Sequence, residues 1–259
     1  MATLPNPLPR LGALGLELPP GRLVDETVEG PWHEPLLWLT DEQPAPGAWD
    51  ALQRTAPGVG LLPVLVEVGG DFRGPEEWEL APGEMSYPGD HDPEDVLTEY
   101  WEECAADGEE WPGLAPALNT SPTAPDATAS TLVDAVLAGS GGSPLKDPHL
   151  ALVPARRSAD IPAAIGWTGP ANHEGDTARL CSVLRSWEDR FGIRVVALGF
   201  DQLTVSVAAP PTTLAEAETV AAEHFAFCPD NILQGAHTTL AAYADHQLLN
   251  QPAWHFWWD

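Results

Sequence analysis

From Leu203 to Val207 the chain alternates strictly, with Leu203, Val205 and Val207 apolar and Thr204 and Ser206 polar. A period of two with one apolar side marks a strand with a single buried face, the habit of antiparallel sheets. Its surroundings supply partners and cover. Leu150–Pro154 and Arg194–Leu198 read as further strands, the second joined to Leu203–Val207 by a turn at Gly199–Gln202. Ala178–Phe191 places Leu180, Val183, Leu184, Trp187 and Phe191 on one helical face, and Gly192 stands where a helix ends in the left-handed region. Thr213-x-x-Glu216 is a capping box. It opens a helix with Leu214, Ala217, Ala221, Phe225 and Cys228 on one stripe, closed by Pro229. Thr238–Leu249 reads as another helix, and the chain ends in Trp254-His255-Phe256-Trp257-Trp258-Asp259. This order predicts an α+β fold: a mostly antiparallel sheet covered by helices, for which a ferredoxin-like arrangement is one solution.

The upstream part differs in pattern. Residues 1–22 are Pro-rich and read as an extended arm. Leu36–Leu39 reads as a short buried strand, Gly47–Ala56 as a short helix on Trp49 and Leu52, and Leu61–Val68 as a strand ended by Gly69-Gly70. Strand, helix, strand suggests a parallel crossover, with Pro63 favouring an edge or strand-start position. Asp92-Pro93-Glu94-Asp95 is a helix start. Behind it Val96, Leu97, Tyr100, Trp101 and Cys104 share one face, with Glu99, Glu102 and Glu103 towards solvent. Residues 111–147 are rich in Pro, Ser, Thr, Ala and Gly; Gly139–Pro144 is the most linker-like part, and Thr131–Ala138 fits a brief helix. The organisation expected is an arm at 1–22, a smaller acidic α/β portion at 23–110, a linker at 111–147 and a Trp-rich α+β domain at 148–259.

Charge narrows the functional classes. The 259 residues carry 39 acids against 11 bases, a net charge of -28. The excess is uneven: Asp71–Glu110 holds 15 acids and one arginine. So negative a surface repels phosphate backbones and anionic lipid, which argues against nucleic-acid and membrane partners and in favour of a basic protein partner. No apolar stretch approaches a membrane span and no secretory leader is read at the start, so a soluble cytoplasmic protein is expected. Three scattered cysteines, Cys104, Cys181 and Cys228, exclude a disulfide scaffold and a four-cysteine zinc site.

Several short motifs follow one another in the C-terminal part. They are Gly166-Trp167-x-Gly169-x-x-Asn172, Ser186-Trp187-Glu188-Asp189-Arg190-Phe191-Gly192, Pro210-Pro211, Ala222-Glu223-His224-Phe225-x-Phe227-Cys228-Pro229-Asp230, Gln234-Gly235 and Phe256-Trp257-Trp258-Asp259. Their order and spacing over residues 148–259 resemble the bacterial family known as domain of unknown function 4253. Upstream, Leu36–Leu39 and Gly60–Val66 are more distantly similar to the region often attached to that domain. The resemblance implies a boundary near residue 148 and a set of positions, with no activity attached.

Those positions supply the candidate sites. Glu223, His224 and Cys228 are the candidates for acid–base or nucleophilic work. His224 and Cys228, four apart on one helix, share a face and could ligate a metal, although free cysteine among Ala and Phe is more often core. Arg190 could grip a carboxylate or phosphate with its planar fork, or hold its helix in an internal salt bridge. Asn172, in a glycine-rich loop, could line a pocket or close its own turn. Trp167 and Trp257 are candidate binding aromatics, with core packing as the plainer use. His91-Asp92-x-Glu94-Asp95 could draw a cation, but its spacing is that of a solvated helix start rather than a calcium loop. Phosphate-loop, dinucleotide and nucleophile-elbow motifs are absent, and no cofactor is expected. The expectation is a non-catalytic acidic protein-binding protein, immunity-like or accessory. The alternative is an enzyme or metal-binding protein using Glu223, His224, Cys228, Arg190 and Asn172.

Overall fold

The structure, a computed structural model, describes residues 5–70, 72–106, 108–118, 124–139 and 145–259. Its strands are β1 (Gly21–Val24), β2 (Leu37–Thr40), β3 (Leu61–Glu67), β4 (Pro148–Pro154), β5 (Ile193–Leu198), β6 (Gln202–Val207) and β7 (Ala253–Trp257). They form one seven-stranded sheet in the order β1-β2-β4-β3-β5-β6-β7. Every neighbouring pair is antiparallel except β3 and β5, so the class is α+β with a mostly antiparallel sheet.

This topology places β4 between β2 and β3, and β3 between β4 and β5. Strands from both sides of residue 148 therefore interleave in one sheet and share its cores. The ferredoxin-like arrangement does not form, because β3 occupies the place beside β5 that a four-stranded C-terminal sheet would have to close by itself. The expected β2–β3 crossover is also modified. The two strands run parallel, both being antiparallel to β4, but β4 separates them. Pro63 lies in a central strand, contrary to the edge expectation. It is accommodated because β3 pairs with β5 only at Leu65–Ala197 and Val66–Leu198. On that side Pro63 stands outside the ladder, where its missing N–H breaks nothing.

Both faces of the sheet are covered. On one side α2 (Pro93–Cys104), α5 (Thr177–Phe191) and α6 (Leu214–Phe227) lie over Val64, Val66, Ala151, Val153, Val205 and Trp254. On the other, α1 (Ala48–Thr55), α3 (Ala124–Leu137) and Leu8 of the N-terminal arm cover Trp38, Leu61, Leu65, Leu150, Leu152 and Val196. The double cover explains why β4 is apolar from Leu150 to Val153: Leu150 and Leu152 face one core, Ala151 and Val153 the other.

Local signals placed several ends as anticipated. Asp92 Oδ1 accepts from the backbone N–H of Glu94 and Asp95, with Pro93 next at the first helical position. Thr213 and Glu216 make the reciprocal capping box of α6, and Gly192 ends α5 at φ +64°. The helix expected at Thr131–Ala138 is instead α3, starting at Ala124 and burying Ala129, Leu132, Val133 and Val136. Ala115 is buried as well, so much of the expected linker belongs to the packed body. Ser140–Pro144 of its most linker-like part lie outside the described residues. The helix expected over Thr238–Leu249 is a short turn, Leu240–Tyr243, running into a π-helical turn at Ala244–Leu248. Among the described residues no helix is long and apolar enough to cross a membrane.

Candidate functional site

α5 and α6 lie on the same sheet face and present Arg190 and Glu223 to each other. Glu223 is fully buried and is gripped at both oxygens: Arg190 Nη1 donates to Oε1 (2.7 Å) and Nη2 to Oε2 (2.5 Å). Two more donors complete the carboxylate, Trp187 Nε1 at 2.7 Å and the backbone N–H of Ala115 at 2.6 Å. Arg190 also donates to the Ala115 carbonyl (2.7 Å) and, through Nε, to Ser186 Oγ (3.0 Å). A buried carboxylate costs heavily unless its lone pairs are met, and here four hydrogen bonds meet them. The product is a staple that binds α5, α6 and the 111–118 segment together. It leaves Arg190 no free fork for an outside anion.

His224, the next residue, turns into an aromatic nest of Trp187, Trp254 and Phe256, with ring centroids at 4.9, 4.6 and 4.8 Å. Its Nδ1 lies 3.1 Å from Tyr243 Oη, which accepts a hydrogen bond from Asn231 Nδ2 (3.2 Å). The phenol can then donate to Nδ1, which suits a neutral imidazole with its hydrogen on Nε2. Nε2 has no partner. Complete desolvation holds the imidazole pKa well below its ordinary value, so His224 stays uncharged.

The Cys228 thiol does not meet this imidazole. It donates to the Trp257 carbonyl (3.0 Å) and lies 3.5 Å from Asn231 Oδ1. Burial pushes its pKa well up, the reverse of an activated nucleophile. Asn231 continues the same clasp: Nδ2 donates to the His255 carbonyl (2.7 Å) and Oδ1 accepts from the Trp257 N–H (3.3 Å). Asp230 Oδ2 accepts from the Asp259 N–H (3.1 Å). The residues from Cys228 to Asn231 thus hydrogen-bond along β7, the last strand of the sheet, as a neighbouring strand would. An unpaired strand edge invites association, and side chains close this one.

The remaining candidates lie elsewhere. Trp167 is buried, and its Nε1 donates to the carbonyls of Gly199 (2.9 Å) and Phe200 (3.0 Å). Its glycines are steric requirements: Gly166 has φ +69° with a side-chain position 2.2 Å from Pro82 N, and at Gly169 that position is 2.1 Å from the Trp167 ring. Asn172 is exposed in the following turn, away from the buried groups. Trp257 is half-buried and enters the clasp through its backbone. His91 bonds Ser86 Oγ (2.6 Å). The structure therefore brings Glu223 and Arg190 together, and links His224 to Cys228 only through Tyr243 and Asn231. Asn172 joins neither group. Among the described residues no three His, Cys, Asp or Glu side chains are placed to hold a metal ion.

Sequence reasoning missed Asn231 and Tyr243. Asn231 was legible in principle, since it directly follows Cys228-Pro229-Asp230, whereas a lone tyrosine in a helix gives no local sign of a partner 19 residues away. Residues 149–259, the C-terminal part of the chain, match the family model described as a domain of unknown function, DUF4253. No curated protein and no solved structure matches the chain.

Proposed function

We propose that this chain is a non-catalytic, acidic protein-binding protein, immunity-like or accessory in kind, whose carboxylates engage a basic partner. The observation that carries the reading is the division of α2. Val96, Leu97, Tyr100 and Trp101 anchor it in the core, while Glu94, Asp95, Glu99, Glu102 and Glu103 are all exposed. Among the described residues only Glu99 of these five has an ion-pair partner, Arg179 at 2.5 Å. A rigid helix carrying unneutralised like charges speeds encounter with a basic surface, and the effect weakens with salt. Of the groups that would support an enzyme or metal reading, Glu223, Arg190, His224 and Cys228 are instead occupied inside the fold, and Asn172 lies apart from them.

Pull-down from cell extract, at low and raised salt, tests this. The expected result is a basic protein that is retained at low salt, released at high salt and lost with Glu102→Lys/Glu103→Lys. Absence of any salt-sensitive partner, or retention unaffected by the charge reversal, would contradict it.

A further inference from the structure

The point where β3 and β5 part company leaves a cleft of about 290 Å³. Pro63 cannot continue the ladder, so Leu62 and Pro63 form one wall and Arg194 and Val195 the other. α1 and α3 close it from the second face of the sheet, through Trp49 and Ala129. Its rim is basic. Arg54, Arg156, Arg157 and Arg194 line it, four of the 11 bases in a chain of net charge -28. Two carboxylates, Asp126 and Glu188, also line it.

These arginines are held rather than scattered. Arg157 Nε and Arg194 Nη1 both donate to Glu188, at 3.1 and 3.3 Å, so one carboxylate positions two guanidiniums. Arg157 reaches on to Asp189 and Arg194 to Asp126. Arg156 is different: it is exposed and has no hydrogen bond or ion pair with any described residue. Trp49, buried at 2%, lines the cleft from α1, and its Nε1–H has no acceptor among the described residues.

We propose that this cleft binds a small organic anion, a phosphate monoester or a carboxylate carried on a planar apolar body. Arg156 would take the oxyanion at the rim, with Arg54, held by Asp50 one turn back on α1, and Arg157 and Arg194, pre-set by Glu188, beside it. The apolar walls take the body of the ligand. Guanidinium forks suit oxyanions of this shape, and the volume suits a small molecule rather than a polymer. The acidic surface elsewhere makes the cleft a local exception to the field of the molecule, which favours one anion entering over many adsorbing.

Isothermal titration with phenyl phosphate, benzoate and neutral benzyl alcohol tests the proposal on the full chain. Either or both anions should bind, the stronger naming the headgroup, and benzyl alcohol should not. Arg156→Ala should weaken binding about tenfold or more, as expected for loss of a charged hydrogen bond. Arg10→Ala, which removes an exposed arginine outside the cleft, should leave it unchanged. Failure of both anions to bind would overturn the proposal. So would equal binding of benzyl alcohol, an Arg156→Ala protein that binds as well as the parent, or an equal loss in Arg10→Ala.

Discussion

Arg190 and Glu188 are two residues apart near the end of α5, yet the helix turns them to different environments. Arg190 faces inward and meets a single, fully buried carboxylate with its remaining bonds taken by Ala115 and Ser186. Glu188 faces the splayed end of β3 and β5, where it is shared by Arg157 and Arg194, which reach on to Asp189 and Asp126, and where a third arginine, Arg156, has no partner among the described residues. The first arrangement has no capacity left for a ligand. The second has one guanidinium, that of Arg156, which no carboxylate takes up among the described residues. The comparison teaches that one motif can serve both settings: Trp187 and Arg190 build the interior, while Glu188 turns to the cleft and meets arginines, Arg157 and Arg194, that lie outside the motifs.

Breaking the enclosed pair should produce the largest effect. Glu223→Ala leaves Arg190 without its counter-charge, and Ala115 N–H and Trp187 Nε1 without an acceptor, so stability should fall by about 3–5 kcal/mol in denaturant unfolding. Replacing both partners with apolar residues, Glu223→Leu with Arg190→Met, should recover a large part of that loss, since the cost lies in the unpaired charge. If the single and double variants were equally unstable, the pair would not be acting as a charge-matched staple.

The clasp on β7 comes next. Asn231→Leu deprives Trp257 N–H, the His255 carbonyl and Tyr243 of a partner and should cost about 1–3 kcal/mol by the same measurement. It should also promote self-association in sedimentation, because the strand edge is then bare. A monomer of unchanged stability would argue against the clasp.

The pH response sharpens the contrast further. His224, His173 and His255 all have pKa values lowered by desolvation. The unfolded chain then binds protons that the folded one refuses. Stability is therefore full above the unfolded histidine value of about 6.5 and declines as pH falls below it, at up to about 1.4 kcal/mol per pH unit for each such group. His224→Gln should flatten that decline in unfolding curves collected across the acidic range. At the open cleft, Arg156→Ala should change stability by no more than about 0.5 kcal/mol, as for an exposed side chain without partners.

Much of the fold was legible because it rests on short-range chemistry. Thr213 with Glu216, Asp92 with Pro93, and Gly192 are cap signals contained within a few residues. The alternation in Leu203–Val207 correctly marked a strand, but not its single buried face: Thr204 and Ser206 on the polar side are buried too, because helices cover both faces of the sheet. The interleaving of β3 between β4 and β5 could not be read, because pairing partners 81 to 132 residues apart leave no local trace. The same limit applied to the candidate site. Glu223 and Arg190 were each singled out, and a salt bridge was the simpler use considered for Arg190, but the 33-residue separation hid the partner. Spacing on α6 suggested a histidine–thiol pair. The helix ends at Phe227, so Cys228 is its cap and its thiol turns towards β7 rather than back along the helical face.

Labelling of the native protein with iodoacetamide, followed residue by residue by mass spectrometry, bears most directly on whether the motif residues are interior. Burial pushes Cys104 up to about 11 and raises Cys181 and Cys228 further, so none is an activated thiolate at neutral pH. Cys228 should react no faster than the chain unfolds, and its rate should follow stability in Asn231→Leu and Glu223→Ala. Rapid modification of Cys228 in the folded protein, rising through a midpoint near neutral pH, would mean that a reactive site lies where this account puts core.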